Sequence, residues 1–165
     1  AKLSASLQRD YSRIAREWPY KDVPRRIIAE EYLSELGNNE ILDYKMYCFH
    51  GEPKITVVCS DRFSKTGTRM NFYDIDWKPM GIHFGHYPPL STEFPRPETY
   101  DEMLRLAMEL SKDCPFLRVD FYEIKGRLYI GELTFFPGAG LEQFRPMTKD
   151  YELGEWLHLE TVHRG

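Results

Sequence analysis

The chain has 165 residues, of which 42% are hydrophobic and 15% aromatic, and it carries a net charge of −4 at pH 7. This size and composition are typical of one folded domain, and we expect residues 1–165 to form a single unit with its own core. The net negative charge argues against a nucleic-acid partner bound through its phosphates, and no apolar run reaches the roughly 20 residues that span a membrane.

The first half of the chain predicts a helix followed by a group of strands. Residues 1–16 place apolar side chains at helical spacing, which indicates one amphipathic helix, and the proline-containing segment 18–24 is typical of a connector. Runs of β-prone residues then predict strands at 41–50, 54–59 and 70–77.

The second half of the chain begins with a long loop and continues with a helix and a hairpin. Residues 79–97 are rich in proline, and loops of this length are often lids over binding sites. Thr99 and Glu102 have the spacing of a capping box, which predicts a helix that Pro115 ends, and 153–160 predict a short C-terminal helix. Strands mixed with a few helices indicate the α+β class, with a largely antiparallel sheet flanked by helices.

Four polar side chains interrupt the apolar hairpin predicted over residues 117–134. They are Arg118, Asp120, Glu132 and Thr134. A two-residue turn at 125–126 puts Asp120 and Glu132 on opposite faces of the hairpin, because a shift of one residue reverses the alternation. A three-residue turn over 124–126, with its glycine left-handed, brings the two acids to one face as diagonal neighbours, with Arg118 opposite Glu132.

Two carboxylates that share a face repel each other unless a cation lies between them. Mg²⁺ commonly binds one or two carboxylates together with the phosphates of a nucleotide, so Asp120 and Glu132 suit a nucleotide-bound magnesium ion, to which Thr134 could add a neutral oxygen. The alternative is a cross-strand pair of Arg118 with Glu132, with Asp120 solvated on an exposed face. The spacing alone leaves both open.

Three blocks of sequence resemble, in the same order, those of the ATP-grasp superfamily. IIAEEYL at 27–33 resembles the hinge strand that holds adenine, and FYDIDWK at 72–78 resembles the strand before the loop that closes over the phosphates. RVDFY followed by GRLYIGELTFFPG, within 118–138, is similar to the C-terminal hairpin of D-alanine–D-alanine ligase. EWPYKDVPRRIIAEEYL and LDYKMYCFHGEP resemble the TupA-like group of this superfamily, and the resemblance covers roughly residues 18–157.

The resemblance implies a metal site and a phosphate site. Asp120 and Glu132 would bind Mg²⁺, with Thr134 in the place usually held by asparagine. Arg118 would stabilise charge on the transferring phosphoryl group or on the tetrahedral intermediate, and Lys78 would contact the phosphates of ATP.

The resemblance also implies how the rest of the nucleotide is held. Glu30 would face the adenine amino group, and Glu31 and Leu33 would lie at the adenine edge through their backbone groups. Asp43 would reach the ribose. Lys45 shares a strand face with Asp43, so it would contact a phosphate or the substrate, or form a surface salt bridge.

ATP-grasp ligases activate a carboxylate as an acyl phosphate, from which an amine then displaces phosphate, with ATP and Mg²⁺ as cofactors. The TupA-like group is associated with teichuronopeptide and capsular polysaccharide synthesis, so the resemblance implies a carboxylate substrate such as a sugar acid or an amino acid. We expect a cytoplasmic location, because Cys48, Cys59 and Cys114 are an odd number without metal-type spacing, which suits free thiols in a reducing compartment. Residues 79–97 would be the lid that excludes water.

The family normally has a glycine-rich phosphate loop and an N-terminal lobe before the hinge, whereas residues 1–36 contain no glycine. We therefore expect the usual N-terminal lobes to be missing, so that the chain is a fragment or a partner chain supplies them. Two other functions stay open. One is a glycosyltransferase whose acids hold a metal-bound sugar nucleotide, and the other is a non-catalytic nucleotide-binding domain.

Overall fold

The computed structural model describes residues 2–30, 32–33, 41–60, 67–85, 87 and 93–158. The strands in these ranges are β1 (Asp43–Phe49), β2 (Glu52–Ser60), β3 (Arg69–Tyr73), β4 (His83–Phe84), β5 (Phe116–Ile124), β6 (Arg127–Thr134) and β7 (Phe144–Arg145). The α-helices are α1 (Lys2–Ser6), α2 (Tyr11–Ala15), α3 (Tyr100–Ser111) and α4 (Met147–Gly154), and 3₁₀ turns lie at Trp18–Tyr20 and Pro137–Gly140.

Five of the strands pair in one antiparallel sheet in the order β3-β2-β1-β5-β6. The short strands β4 and β7 form a separate antiparallel ladder. A tight turn joins β1 to β2, in which His50 and Gly51 both have positive φ, 49° and 83°. The α+β class with an antiparallel sheet flanked by helices, which the sequence predicts, is confirmed.

Apolar side chains cover parts of both faces of the sheet, because successive residues of a strand point to opposite sides. On one face, side chains of β1 and β5 pack against α3, among them Met46, Val119 and Met103. On the other, side chains of β1, β2 and β3 pack with those of β4 and α4, among them Val57 and Leu153. This second face also carries the polar side chains of the candidate site.

The helix predicted over residues 1–16 is wrong as a single element. The segment forms two short helices, α1 and α2, separated by residues 7–10. Its apolar side chains stay largely outside the core, since Leu3 is 64% exposed and Ile14 is 66% exposed. A short helix whose apolar side chains stay exposed is marginal in water, which explains why the periodicity alone does not extend it.

The strand predicted over 70–77 ends early, at Tyr73. Asp74 Oδ1 accepts hydrogen bonds from the backbone N–H groups of Asp76 and Lys78, at 2.9 and 2.8 Å. Aspartate commonly closes turns in this way, so residues 74–77 form a turn rather than the end of a strand.

The helix predicted after Thr99 is confirmed as α3, but the capping box is wrong. Thr99 makes no side-chain cap hydrogen bond. Its hydroxyl donates instead to Glu123 Oε2 on β5 at 2.6 Å, and its backbone N–H donates to the same oxygen at 2.8 Å. These bonds attach the start of α3 to the sheet.

The C-terminal helix lies earlier in the chain than predicted. Of the predicted range 153–160, only the first two residues belong to α4, residues 155–158 are not helical, and 159–160 lie outside the described residues. Leu153 is buried, and Trp156 packs edge to face on Phe49 with ring centroids 5.5 Å apart. These apolar side chains cover one end of the second-face core, which is the apolar cluster between the sheet, β4 and α4.

The long loop predicted over 79–97 includes the two residues of β4, and its residues 86 and 88–92 lie outside the described residues. Ile82 and Phe84 are buried, so the first part of the loop belongs to the second-face core. Its role as a lid stays a prediction. Within the described ranges, the helices are too short or too polar to cross a membrane.

Candidate functional site

The hairpin of β5 and β6 brings its acids to one face by a route that differs from the predicted turn. The turn has two residues, Lys125 and Gly126, with φ values of 53° and 72°, so the three-residue turn predicted over 124–126 is wrong. A two-residue turn alone would direct Asp120 and Glu132 to opposite faces. A β-bulge restores the common face, because it adds one residue to β6.

Gly131 is the extra residue of this bulge. The register pairs Asp120 directly with Glu132, so their predicted diagonal arrangement is wrong, and it leaves Gly131 unpaired. A Cβ at this position would lie 2.4 Å from Cε2 of Tyr122, closer than carbon atoms can approach. Glycine is therefore required while the Tyr122 ring lies across the bulge.

Arg118 joins the two acids of the hairpin. It lies opposite Thr134 rather than opposite Glu132, so the predicted cross-strand position is wrong. Its guanidinium still reaches both carboxylates. Nε donates to Asp120 Oδ1 at 2.7 Å, and Nη2 donates to Asp120 Oδ2 at 2.8 Å and to Glu132 Oε2 at 3.1 Å. Such forked bonds between arginine and a carboxylate are strong and directional.

Lys45 brings a second cation to the same place from β1. It lies directly opposite Asp120, on the face of β1 that also carries Asp43. Its Nζ forms an ion pair with Asp120 Oδ2 and lies 2.8 Å from Asp43 Oδ2. Both carboxylate side chains are almost fully buried, at 1% for Asp43 and 2% for Asp120. We call these residues the charged cluster: Asp43, Lys45, Arg118, Asp120 and Glu132.

Burial and ion pairing act in opposite directions on the two cations. Burial lowers the pKa of Lys45, but the carboxylates of Asp120 and Asp43 outweigh this effect and leave the pKa raised. Burial likewise lowers the pKa of Arg118, and the hydrogen bonds and charge of Asp120 raise it above its ordinary value. Both cations therefore stay charged around neutral pH.

The two acids of the hairpin differ in their access to water. The Glu132 side chain is 61% exposed, whereas that of Asp120 is 2% exposed. The alternative in which Asp120 is solvated on an exposed face is therefore wrong, although the ion pair of Arg118 with Glu132 that it included is present. The charged cluster opens to solvent on its Glu132 side.

The oxygen donors here match the preference of Mg²⁺ for carboxylate and hydroxyl oxygens. Thr134 Oγ1 is buried and has no hydrogen-bond partner among the described residues, and it lies on the same face as Asp120 and Glu132. In the described part of the chain, no group of three or more His, Cys, Asp or Glu side chains is arranged to hold a metal ion. Lys45 and Arg118 lie among the acids instead. The residues fit magnesium by donor type.

Lys78 lies apart from the charged cluster. It follows β3 at one edge of the sheet, and β2 and β1 separate β3 from β5. Its side chain is 71% exposed and pairs with Asp76 at 3.2 Å. Within the described ranges no hydrogen bond or ion pair joins Lys78 to the cluster, so its contact with ATP phosphates stays a prediction.

The residues expected around adenine lie outside the sheet. Residues 24–30 form no helix or strand, and Glu30 is exposed, so the strand expected over 27–33 is not found in the part of it that the structure describes. Leu33 is half-buried, and Glu31 lies outside the described residues. Their contacts with adenine stay predictions.

An apolar groove of about 660 Å³ lies next to the charged cluster, and the sequence interpretation missed it. Tyr47 links the two features, because it lines the groove and lies opposite Arg118. The other aromatic residues that line the groove are Phe49, Phe84, Phe116, Phe135, Phe136 and Phe144. The sequence signal for the groove is the pair Tyr47 and Phe49, which lie two positions apart on β1 and so share one face of the strand with Asp43 and Lys45.

A protein family described as TupA-like ATPgrasp matches residues 1–158 of the chain. The matched range contains the whole five-stranded sheet, the charged cluster and the groove. The comparison with curated proteins gives no match, and the comparison with solved structures gives none either.

Proposed function

The chain belongs to the TupA-like ATP-grasp family, and we propose that it joins a carboxylate to an amine, or to a similar nucleophile, through an acyl phosphate. Membership of the family indicates ATP-dependent ligase activity. The acyl phosphate route, a sugar acid or amino acid as substrate, and a cytoplasmic role in cell-surface polysaccharide or teichuronopeptide synthesis are the finer parts of the proposal.

The charged cluster is the observation that carries the proposal. Phosphoryl transfer requires reactants held in line and neutralised negative charge, rather than a protein nucleophile. The cluster combines two cations with carboxylates suited to Mg²⁺, on a sheet face that is open to solvent at Glu132. Arg118 and Asp120 are held within hydrogen-bond distance of each other, which favours preorganisation of the site.

In the proposed reaction, an oxygen of the substrate carboxylate attacks the γ-phosphorus of ATP, and the bond from that phosphorus to the β–γ bridging oxygen breaks to release ADP. The amine nitrogen then attacks the carbonyl carbon of the acyl phosphate, loses a proton and displaces inorganic phosphate. Arg118 would donate hydrogen bonds to the transferring phosphoryl group and to the tetrahedral intermediate.

Asp120 and Glu132 would hold Mg²⁺, and the hydroxyl oxygen of Thr134 would complete the protein ligands. When bound, this ion neutralises charge on the β- and γ-phosphate oxygens. Lys78 would contact the phosphates from the other edge of the sheet, and Asp43 would contact the ribose.

Calorimetric titration of ATP into the chain, with and without Mg²⁺, tests the nucleotide site. The test variant is D120N/E132Q, which removes two negative charges from the cluster. Its matched control is E109Q/D113N, which removes the same charges from exposed positions on and just after α3. We expect magnesium-dependent binding in the wild type and in the control, and none in the test variant. Equal binding by both variants would refute the assignment.

Release of ADP during incubation with a panel of carboxylates and amines then tests the reaction. A ligase releases ADP only when a suitable acid is present. Hydrolysis of a sugar nucleotide without ADP formation would favour a glycosyltransferase. Magnesium-dependent ATP binding without ADP release from any acid would favour a non-catalytic nucleotide-binding domain.

A further inference from the structure

Lys45 makes a contact that the proposed reaction does not use. Its ammonium pairs with Asp120 of β5 and with Asp43 of its own strand, β1, and both of these carboxylates are almost fully buried. Two buried carboxylates this close need a positive charge between them, because each disfavours ionisation of the other. A divalent cation would meet the same need with the same oxygen atoms.

Both oxygens of Asp120 are already engaged. Oδ1 accepts a hydrogen bond from Arg118 Nε at 2.7 Å, and Oδ2 accepts one from Arg118 Nη2 at 2.8 Å. Oδ2 also pairs with Lys45. A metal ion placed between Asp43 and Asp120 would have to take the position that the Lys45 ammonium occupies.

Lys45 is the cation better suited to leave. Arg118 holds Asp120 with two bonds from a rigid, planar fork, and it lies two residues away on the same strand. Lysine is a point charge on a flexible four-carbon stem that can turn toward another anion. The Lys45 side chain is 14% exposed, so a path from the cluster to solvent exists.

We propose that Lys45 is a built-in counter-ion, whose ammonium holds the place of a divalent cation between Asp43 and Asp120 and moves away when the metal binds. This inference rests on the proposed function, because it concerns the same site, and it makes Asp43 a ligand of the cation rather than a contact of the ribose. The phosphates that arrive with the metal would offer the displaced ammonium a new anionic partner. The chain would then bind the metal weakly alone and more tightly together with the nucleotide.

Binding of Mn²⁺ without nucleotide, followed by the electron paramagnetic resonance signal of the free ion, tests the inference. The test variant is Lys45→Met. The matched control is Lys54→Met on the neighbouring strand β2, which removes the same charge from an ion pair with Glu52 at the surface. We expect Lys45→Met to bind Mn²⁺ at least about tenfold more tightly than the control, because a contact-range positive charge has been removed.

Thermal unfolding gives a second readout. In EDTA, Lys45→Met should unfold at a lower temperature than Lys54→Met, because the two buried acids have lost a cation. Addition of Mn²⁺ should raise the unfolding temperature of Lys45→Met by more than it raises that of Lys54→Met. If Lys45→Met does not fold in EDTA, the Mn²⁺ affinities of D43N/K45M and D43N are compared instead, because the effect of removing Lys45 is then measured with one buried negative charge fewer. The doubly substituted chain should again bind Mn²⁺ more tightly.

Mn²⁺ affinities that do not differ between the Lys45 variant and its control, or between D43N/K45M and D43N, would overturn the inference. Failure of the proposed function has a different signature. In that case neither the wild type nor any variant binds ATP in a metal-dependent manner, while the gain in Mn²⁺ binding on removal of Lys45 remains.

Discussion

Replacement of Gly131 with alanine is expected to destabilise the hairpin through conflict with a single side chain. The added Cβ would lie 2.4 Å from Cε2 of Tyr122, and 3.2 Å from its Cδ2 and Cζ. Carbon atoms in contact are normally about 3.5–4.0 Å apart. Either the Tyr122 ring or the backbone of β6 therefore has to move by about 1 Å or more.

The cost follows from how this conflict is relieved. An off-rotamer tyrosine costs about 0.5–1.5 kcal/mol, and overpacked sites in general lose about 1–3 kcal/mol. We therefore expect the free energy of unfolding of Gly131→Ala to fall by about 1–3 kcal/mol. If β6 shifts so that the bulge is lost, Glu132 turns to the opposite face, and magnesium-dependent ATP binding should weaken as well.

Equilibrium unfolding in urea measures the loss, and a double-mutant cycle identifies its cause. In a Tyr122→Ala background, the cost of Gly131→Ala should shrink by at least about 1 kcal/mol, since the conflicting ring is gone. Gly154→Ala is the control, because an added Cβ there meets no atom within 4 Å apart from its chain neighbours and its own helix, and it should be neutral or stabilise by up to about 1 kcal/mol. An equal cost of Gly131→Ala in both backgrounds would refute the steric explanation.

Two further predictions concern the α3 face of the sheet. Burial raises the pKa of Cys48 to about 11, so its thiol stays protonated at pH 8. Iodoacetamide should therefore modify the half-buried Cys114 before the buried Cys48 in the folded chain. Peptide mass mapping checks this order, and equal rates of modification would contradict it. Thr99→Val removes the hydroxyl that donates to Glu123 at 2.6 Å and should lower the free energy of unfolding by about 1.5–3 kcal/mol. Thr99→Ser keeps the hydroxyl and should retain most of that stability in urea unfolding, and an equal loss in both variants would contradict the assignment to the hydrogen bond.

Local sequence patterns were enough to predict the strands around the first hairpin and the helix after Thr99. In those segments the residues that decide the structure lie next to one another, as in the turn at His50 and Gly51. The capping box failed because Glu123, which lies 24 residues away, competes for the Thr99 hydroxyl. A pattern of four residues cannot contain that competitor.

The candidate site shows the same division between local and distant information. The sequence predicted that Asp120 and Glu132 could share a face, but it placed the extra residue in the turn rather than at Gly131. The decisive contact, the Tyr122 ring across the bulge, depends on how the two strands pack. The pairing of Lys45 with Asp120 depends on β1 lying beside β5, and strands that are not consecutive in sequence give no local sign of their pairing.

The pairing of β1 with β5 also bears on how the domain folds. Lys45 and Asp120 are 75 residues apart in the chain, so the cluster forms only after a large loop has closed, and sheets dominated by such distant pairings fold slowly, on the order of milliseconds to seconds. In an intermediate that contains only the β5–β6 hairpin, Arg118 would be the only cation beside Asp120, because Lys45 lies on β1. During synthesis, by contrast, β1 and β2 are made before β5, and Asp43 and Lys45 already lie on one face of β1 when β5 pairs with it. The order of synthesis thus presents Asp120 to a strand that already carries its counter-ion.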